Sequence, residues 1–77
     1  MIKNGIGTEL KKLRSQRKLT QEALAHNADV AIAFIKEIEA GIKQPSVTTL
    51  FKLSYALGVS PSELVEPTYL RWVDQKD

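Results

Sequence analysis

Residues Thr20–Ala40 read TQEALAHNADVAIAFIKEIEA, and this stretch decides the fold. Thr20 is a good N-cap, and Glu22 stands in the first turn, beside the positive end of a helix dipole. A short helix therefore runs from Gln21 to about Asn27 and buries Leu24 among small alanines. Asn27, Ala28 and Asp29 form a tight turn, since Asn and Asp tolerate a left-handed backbone better than most residues. A second helix runs from about Ala31 to Ala40, with Ile35 and Ile38 inward and Gly41 as its stop. Two short helices joined by a turn of about three or four residues form a recurrent supersecondary unit.

The flanks continue the helical reading. Ile6, Leu10 and Leu13 recur at helical spacing, so a helix precedes the pair, from about Asn4 or Gly5 to Lys18. After the loop Ile42–Pro45, Ser46 caps a helix that carries Leu50, Leu53 and Leu57 and stops at Gly58. Ser60-Pro61-Ser62-Glu63 is a capping box with proline at the first helical position. The fifth helix is expected to be brief and to end before Pro67. No strand pattern occurs. The expected fold is all-α: a compact five-helix bundle over residues 1–66, with a short C-terminal tail over 67–77.

That tail is apolar for a chain end. Tyr69, Leu70, Trp72 and Val73 form one patch if it is helical, and about ten residues hold no helix in water without packing. A homodimer interface is the expected use, with Trp72 as its anchor. The other expectation is that the tail covers its own core near the fifth helix. Leu64, Val65 and Tyr55 are the next interface candidates.

Composition removes most other functions. The chain has 77 residues, enough for one modest core. It has no cysteine and one histidine, His26, which excludes disulfides, thiolate metal sites and a cysteine nucleophile. No metal and no cofactor are expected, nor is an enzyme. Glu37 and Glu39 point to different helix faces, His26 lacks a partner, and Gly5-Ile6-Gly7 is too short for a phosphate loop. No apolar run approaches the ~18 residues of a transmembrane helix, and no signal peptide is expected. The expected location is cytoplasmic, with no membrane partner. Charge is uneven. Lys3, Lys11, Lys12, Arg14, Arg17 and Lys18 face only Glu9 among residues 1–20, a net of +5. Such an end suits phosphate or a solvated helix face.

The order and spacing of Leu13-Arg14, Leu19-Thr20-Gln21-Glu22-Ala23-Leu24-Ala25, Val30, Phe34-Ile35, Ile38-Glu39, Gly41, Pro45-Ser46, Thr49-Leu50 and Leu57-Gly58-Val59 resemble the phage-repressor-like (Xre or Cro type) helix-turn-helix family. The resemblance covers about residues 5–66. It implies a DNA-binding regulator of transcription that meets double-stranded operator DNA as a homodimer, with its third helix in the major groove. Carried over by position, Gln21 meets the phosphate backbone. Ala31, Ile32, Ala33, Lys36 and Glu37 meet base edges, and Phe34 meets the sugar-phosphate wall. Lys43 and Gln44 belong to a backbone-contacting loop, and Arg14 and Glu39 form a buried ion pair. The chain departs from the pattern at Ala31, usually serine or threonine, and at Asp29, usually glycine. Ile32 and Ala33 replace polar readers, so readout rests on methyl contacts, Lys36, Glu37 and DNA shape. No effector domain is seen, so no small-molecule ligand is expected. The competing reading is a protein-interaction module on the same fold, such as an antitoxin whose apolar face Ile32, Ala33, Phe34 binds a toxin.

Overall fold

Short polar signals set most of the helix boundaries. The computed structural model describes residues 5–76, and among them five helices follow one another with no strand. They are α1 Gly7–Gln16, α2 Gln21–Ala28, α3 Ile32–Glu39, α4 Val47–Leu57 and α5 Pro61–Gln75. Thr20 Oγ1 accepts the Ala23 amide at 3.0 Å and Ser46 Oγ accepts the Thr49 amide at 3.2 Å, each satisfying an orphan donor. At α5 the Ser60 amide donates to Glu63 Oε2 at 2.7 Å, behind Pro61 at the first helical position.

The first four helices close with one device. Shortly past each end a residue turns left-handed: Lys18 and Asp29 at φ 56°, Gly41 at φ 79° and Gly58 at φ 72°. The following amides, of Leu19, Val30, Ile42 and Val59, bond back to the carbonyls of Arg14, Ala25, Glu37 and Ser54. This Schellman closure satisfies carbonyls that the helix leaves free. The apolar residue after each turn is brought back toward the helix.

Every helix contributes to one core. Leu10, Leu24, Ile35, Ile38, Leu53 and Leu64 are fully buried. α2 packs on α3 and α4, α1 on α3 and α5, and α4 on α5. Gly7 permits the close approach of α1 to α3: a Cβ there would strike the Ile38 carbonyl oxygen and sit 3.0 Å from Glu39 Cα.

Four expectations need correction. Asn27 and Ala28 belong to α2, so the turn begins only at Asp29. α1 begins at Gly7, not at Asn4 or Gly5, and ends at Gln16, before Lys18. The left-handed Gly5 and Lys18 cannot belong to the helix. Asn4, like Lys3 and Asp77, lies outside the described residues. Pro67 does not end the fifth helix, which runs through it to Gln75. Proline lacks the amide that would bond the Glu63 carbonyl, a loss of about 3 kcal/mol in a helix interior. Contacts beyond it hold the helix together. Arg71 Nη1 reaches Glu9 Oε1 at 3.5 Å, and its Nη2 reaches the Gly5 carbonyl and Thr68 Oγ1, each at 3.4 Å. Leu64, a spare interface candidate, is a core residue, because it is the position that α5 turns inward. No helix among the described residues is long and apolar enough to cross a membrane.

Candidate nucleic-acid interface

The helix pair α2–α3 is fixed from behind by one carboxylate. Glu39, at the end of α3, accepts Arg14 Nε at 2.7 Å and Nη2 at 3.1 Å, a bidentate pair with side chains only 13% and 5% exposed for Arg14 and Glu39. Arg14 Nη1 also donates to the Leu19 carbonyl at 2.7 Å. Gln21 Nε2 donates to the same Glu39 Oε1 at 3.1 Å. One network therefore joins α1, the turn before α2, the first residue of α2 and the last residue of α3. The hydrogen bond that Arg14 donates to Glu39 raises the Arg14 pKa above its ordinary value, against the lowering effect of burial, and the Glu39 charge adds to the rise.

With Ile35 and Ile38 buried, α3 must turn its other face outward. Ala31, Ala33 and Lys36 are exposed, and Ile32, Phe34 and Glu37 are partly so. Ile32 and Phe34 give part of their surface to the core. Ala31 occupies the N-cap in an extended conformation with no side-chain hydrogen bond. In the loop after α3, Lys43 Nζ lies 3.5 Å from Glu37 Oε1. Gln44 Oε1 accepts the Ile6 amide at 3.3 Å. Ala33, Lys36 and Glu37 therefore lie away from the buried face of α3 that carries Ile35 and Ile38, while Gln21 is drawn to Glu39 and Gln44 to Ile6. Four of the expected contact residues, Gln21, Glu37, Lys43 and Gln44, also hold partners within the chain. Lys11, Lys12, Arg17 and Lys18 are exposed on and after α1, and His26 is exposed on α2.

The tail residues lie on the second half of α5. Tyr69, Leu70, Trp72 and Val73 are 57%, 58%, 45% and 43% exposed, so they do not fold back over the core. Tyr69 and Trp72 stack with ring centroids 6.3 Å apart, and Lys76 Nζ stands 5.8 Å from the Trp72 ring. Val65, Tyr69 and Trp72 face Ile42 of the α3–α4 loop across an open groove of about 530 Å³. Reading the sequence missed two features here. Glu9 is buried and pairs with Arg71, a contact signalled only by a carboxylate inside the apolar stripe of α1. Val47, Phe51 and Tyr55, spaced like one helix face, form a second exposed apolar strip on α4.

A helix-turn-helix family model matches residues 10–64. An uncharacterized HTH-type transcriptional regulator, y4dJ, from Sinorhizobium fredii is 38% identical over 63 residues, 82% of this chain and 82% of that protein. The control protein C.BamHI from Bacillus amyloliquefaciens is 34% identical over 71 residues, 91% of this chain and 88% of that one. Among solved structures, the restriction-modification controller protein C.AhdI from Aeromonas hydrophila superimposes with a TM-score of 0.76 at 32% identity, covering 78% of this chain and 91% of that chain.

Proposed function

The chain belongs to the helix-turn-helix family of DNA-binding transcriptional regulators, and from that membership we propose a homodimer that seats α3 of each copy in the major groove of an operator half-site. It is a regulator and not an enzyme. Ala31, Ile32, Ala33, Lys36 and Glu37 face the base edges, and Phe34 faces the sugar-phosphate wall. Gln21, Lys43 and Gln44 flank the groove on the phosphates. Ile32 and Ala33 offer methyl contact to thymine, and Lys36 is the hydrogen-bond donor of the face. The observation that carries this reading is the Arg14–Glu39–Gln21 network. It fixes the angle between α2 and α3 from the buried side and leaves the outer face of α3 free. The apolar strip of α5 joins the two copies. The operator lies on genomic DNA, so the proposal includes a cytoplasmic location, on the nucleoid when bound.

A salt-dependent titration with genomic fragments, the protein's own promoter included, tests the reading. One fragment is expected to stand out, with a steep decline of affinity with salt. Lys43→Gln should lower affinity for it more than Lys12→Gln, and should flatten the salt slope by about one contact. The reverse ranking moves the DNA surface to α1, and no retention at low salt defeats the proposal.

A further inference from the structure

We propose that Glu37 masks Lys43 from DNA of the wrong sequence, and that a base-edge donor in the right sequence releases it. This rests on the reading that α3 enters the major groove. The left-handed turn at Gly41 doubles the chain back over the end of α3, and the amides of Ile42 and Lys43 both bond the Glu37 carbonyl, at 2.8 and 3.3 Å. The loop backbone is thereby fixed to the residue that carries the carboxylate. It sets Lys43 Nζ 3.5 Å from Glu37 Oε1, with the two side chains 56% and 35% exposed. A pair this exposed is weak in water and exchanges partners freely. The neighbouring carboxylate, Glu39, is taken by Arg14 and Gln21 and cannot substitute. Lys36 makes no ion pair among the described residues, so it attracts any duplex.

Ile32 and Ala33 can neither donate nor accept side-chain hydrogen bonds, which concentrates polar readout in Lys36 and Glu37. On a duplex with no donor opposite Glu37, the carboxylate stays with Lys43. It cancels that charge, so the pair offers the nearby phosphates no net attraction. On a duplex that presents the exocyclic amine of cytosine, the carboxylate accepts from the base. Lys43 is then free to turn to a phosphate. One base contact and one phosphate contact appear together, so a mismatch forfeits both. A carboxylate near DNA thereby acts as a device for discrimination, withholding attraction from the wrong partner as well as supplying it to the right one.

The test uses the full chain and two duplex probes: one of mixed sequence, and one recovered by wild type from a randomised pool. Wild type, E37Q, K43Q and K36Q are titrated on both over a range of salt, after thermal melts establish equal folding. E37Q is expected to bind the mixed duplex about 3-fold tighter, with a steeper salt slope, and to lose the part of its preference for the selected duplex that the release of Lys43 supplies. K43Q is expected to weaken the selected complex by a larger factor than the mixed one, where it only uncovers the Glu37 charge. If E37Q leaves affinity and slope on the mixed duplex unchanged while K36Q weakens binding, the mask is overturned and the groove reading stands. If K36Q, E37Q and K43Q all leave binding unchanged, or wild type recovers no preferred sequence, both fall together.

Discussion

Removing Glu39 would leave the Arg14 guanidinium in a setting where its side chain is only 13% exposed. The guanidinium cannot shed its proton to escape the cost, because an arginine's ordinary pKa lies far above neutrality even without the rise that Glu39 adds. A raised folded-state pKa adds stability that is complete below the unfolded value and lost only as pH passes the folded one. For arginine that window lies far above neutrality, so the Arg14 contribution is flat across ordinary pH. Glu39→Ala should therefore cost ~3–5 kcal/mol at neutral pH, a large part of the stability of a domain this small. In a thermal melt the midpoint should fall by more than about 10 °C, against little change for Lys52→Ala, exposed on α4. Replacing Arg14 and Glu39 together by leucine should recover much of the loss, since no charge is then stranded. A Glu39→Ala midpoint equal to wild type would mean that water reaches the pair.

Pro67 sits in the interior of α5, where its ring displaces a hydrogen bond to the Glu63 carbonyl. Pro67→Ala should restore that bond and raise the melting midpoint, by an amount equivalent to about 1–3 kcal/mol, with a gain in helical circular dichroism. An unchanged or lower midpoint would show that Pro67 is needed to bring Arg71 to Glu9. This element also marks where sequence reading stops. Thr20, Ser46 and Ser60-Pro61 announce helix starts because a cap is a local event, complete within three residues. Gly41 and Gly58 announce stops because glycine is at ease in a left-handed turn. The stop at Lys18 is hidden, since a lysine gives no hint of positive φ. The continuation past Pro67 is hidden because Arg71 is held by Glu9, 62 residues away. Gln44 was placed in its loop by family resemblance, yet its bond to the Ile6 amide spans 38 residues and has no local signature. The outer face of α3 was legible from the inward pair Ile35 and Ile38 alone.

Two exposed apolar strips are candidates to join the two copies of the proposed homodimer: Val65, Tyr69, Trp72 and Val73 on α5, and Val47, Phe51 and Tyr55 on α4. The α5 strip has the better geometry for function. Its groove is closed on one side by Ile42, the residue before Lys43, so a partner seated there also braces the loop proposed to touch DNA. A tryptophan centred in such a patch is the side chain most apt to dominate association. The molecule measures 39 × 23 × 22 Å, and half-sites one helical turn apart lie about 34 Å from each other. Two abutting copies therefore span an operator that one copy covers only by half. Trp72→Ala should weaken the dimer by ~2 kcal/mol or more, about 30-fold, while leaving the monomer folded, since Trp72 lies outside the core. Sedimentation over a dilution series should show monomer where wild type is dimeric, and operator affinity should fall with it. Tyr55→Ser, at a residue 88% exposed on α4, should leave both unchanged. If Tyr55→Ser dissociates the dimer and Trp72→Ala does not, the two-fold axis passes by α4, and the groove beside Ile42 faces solvent in the bound complex.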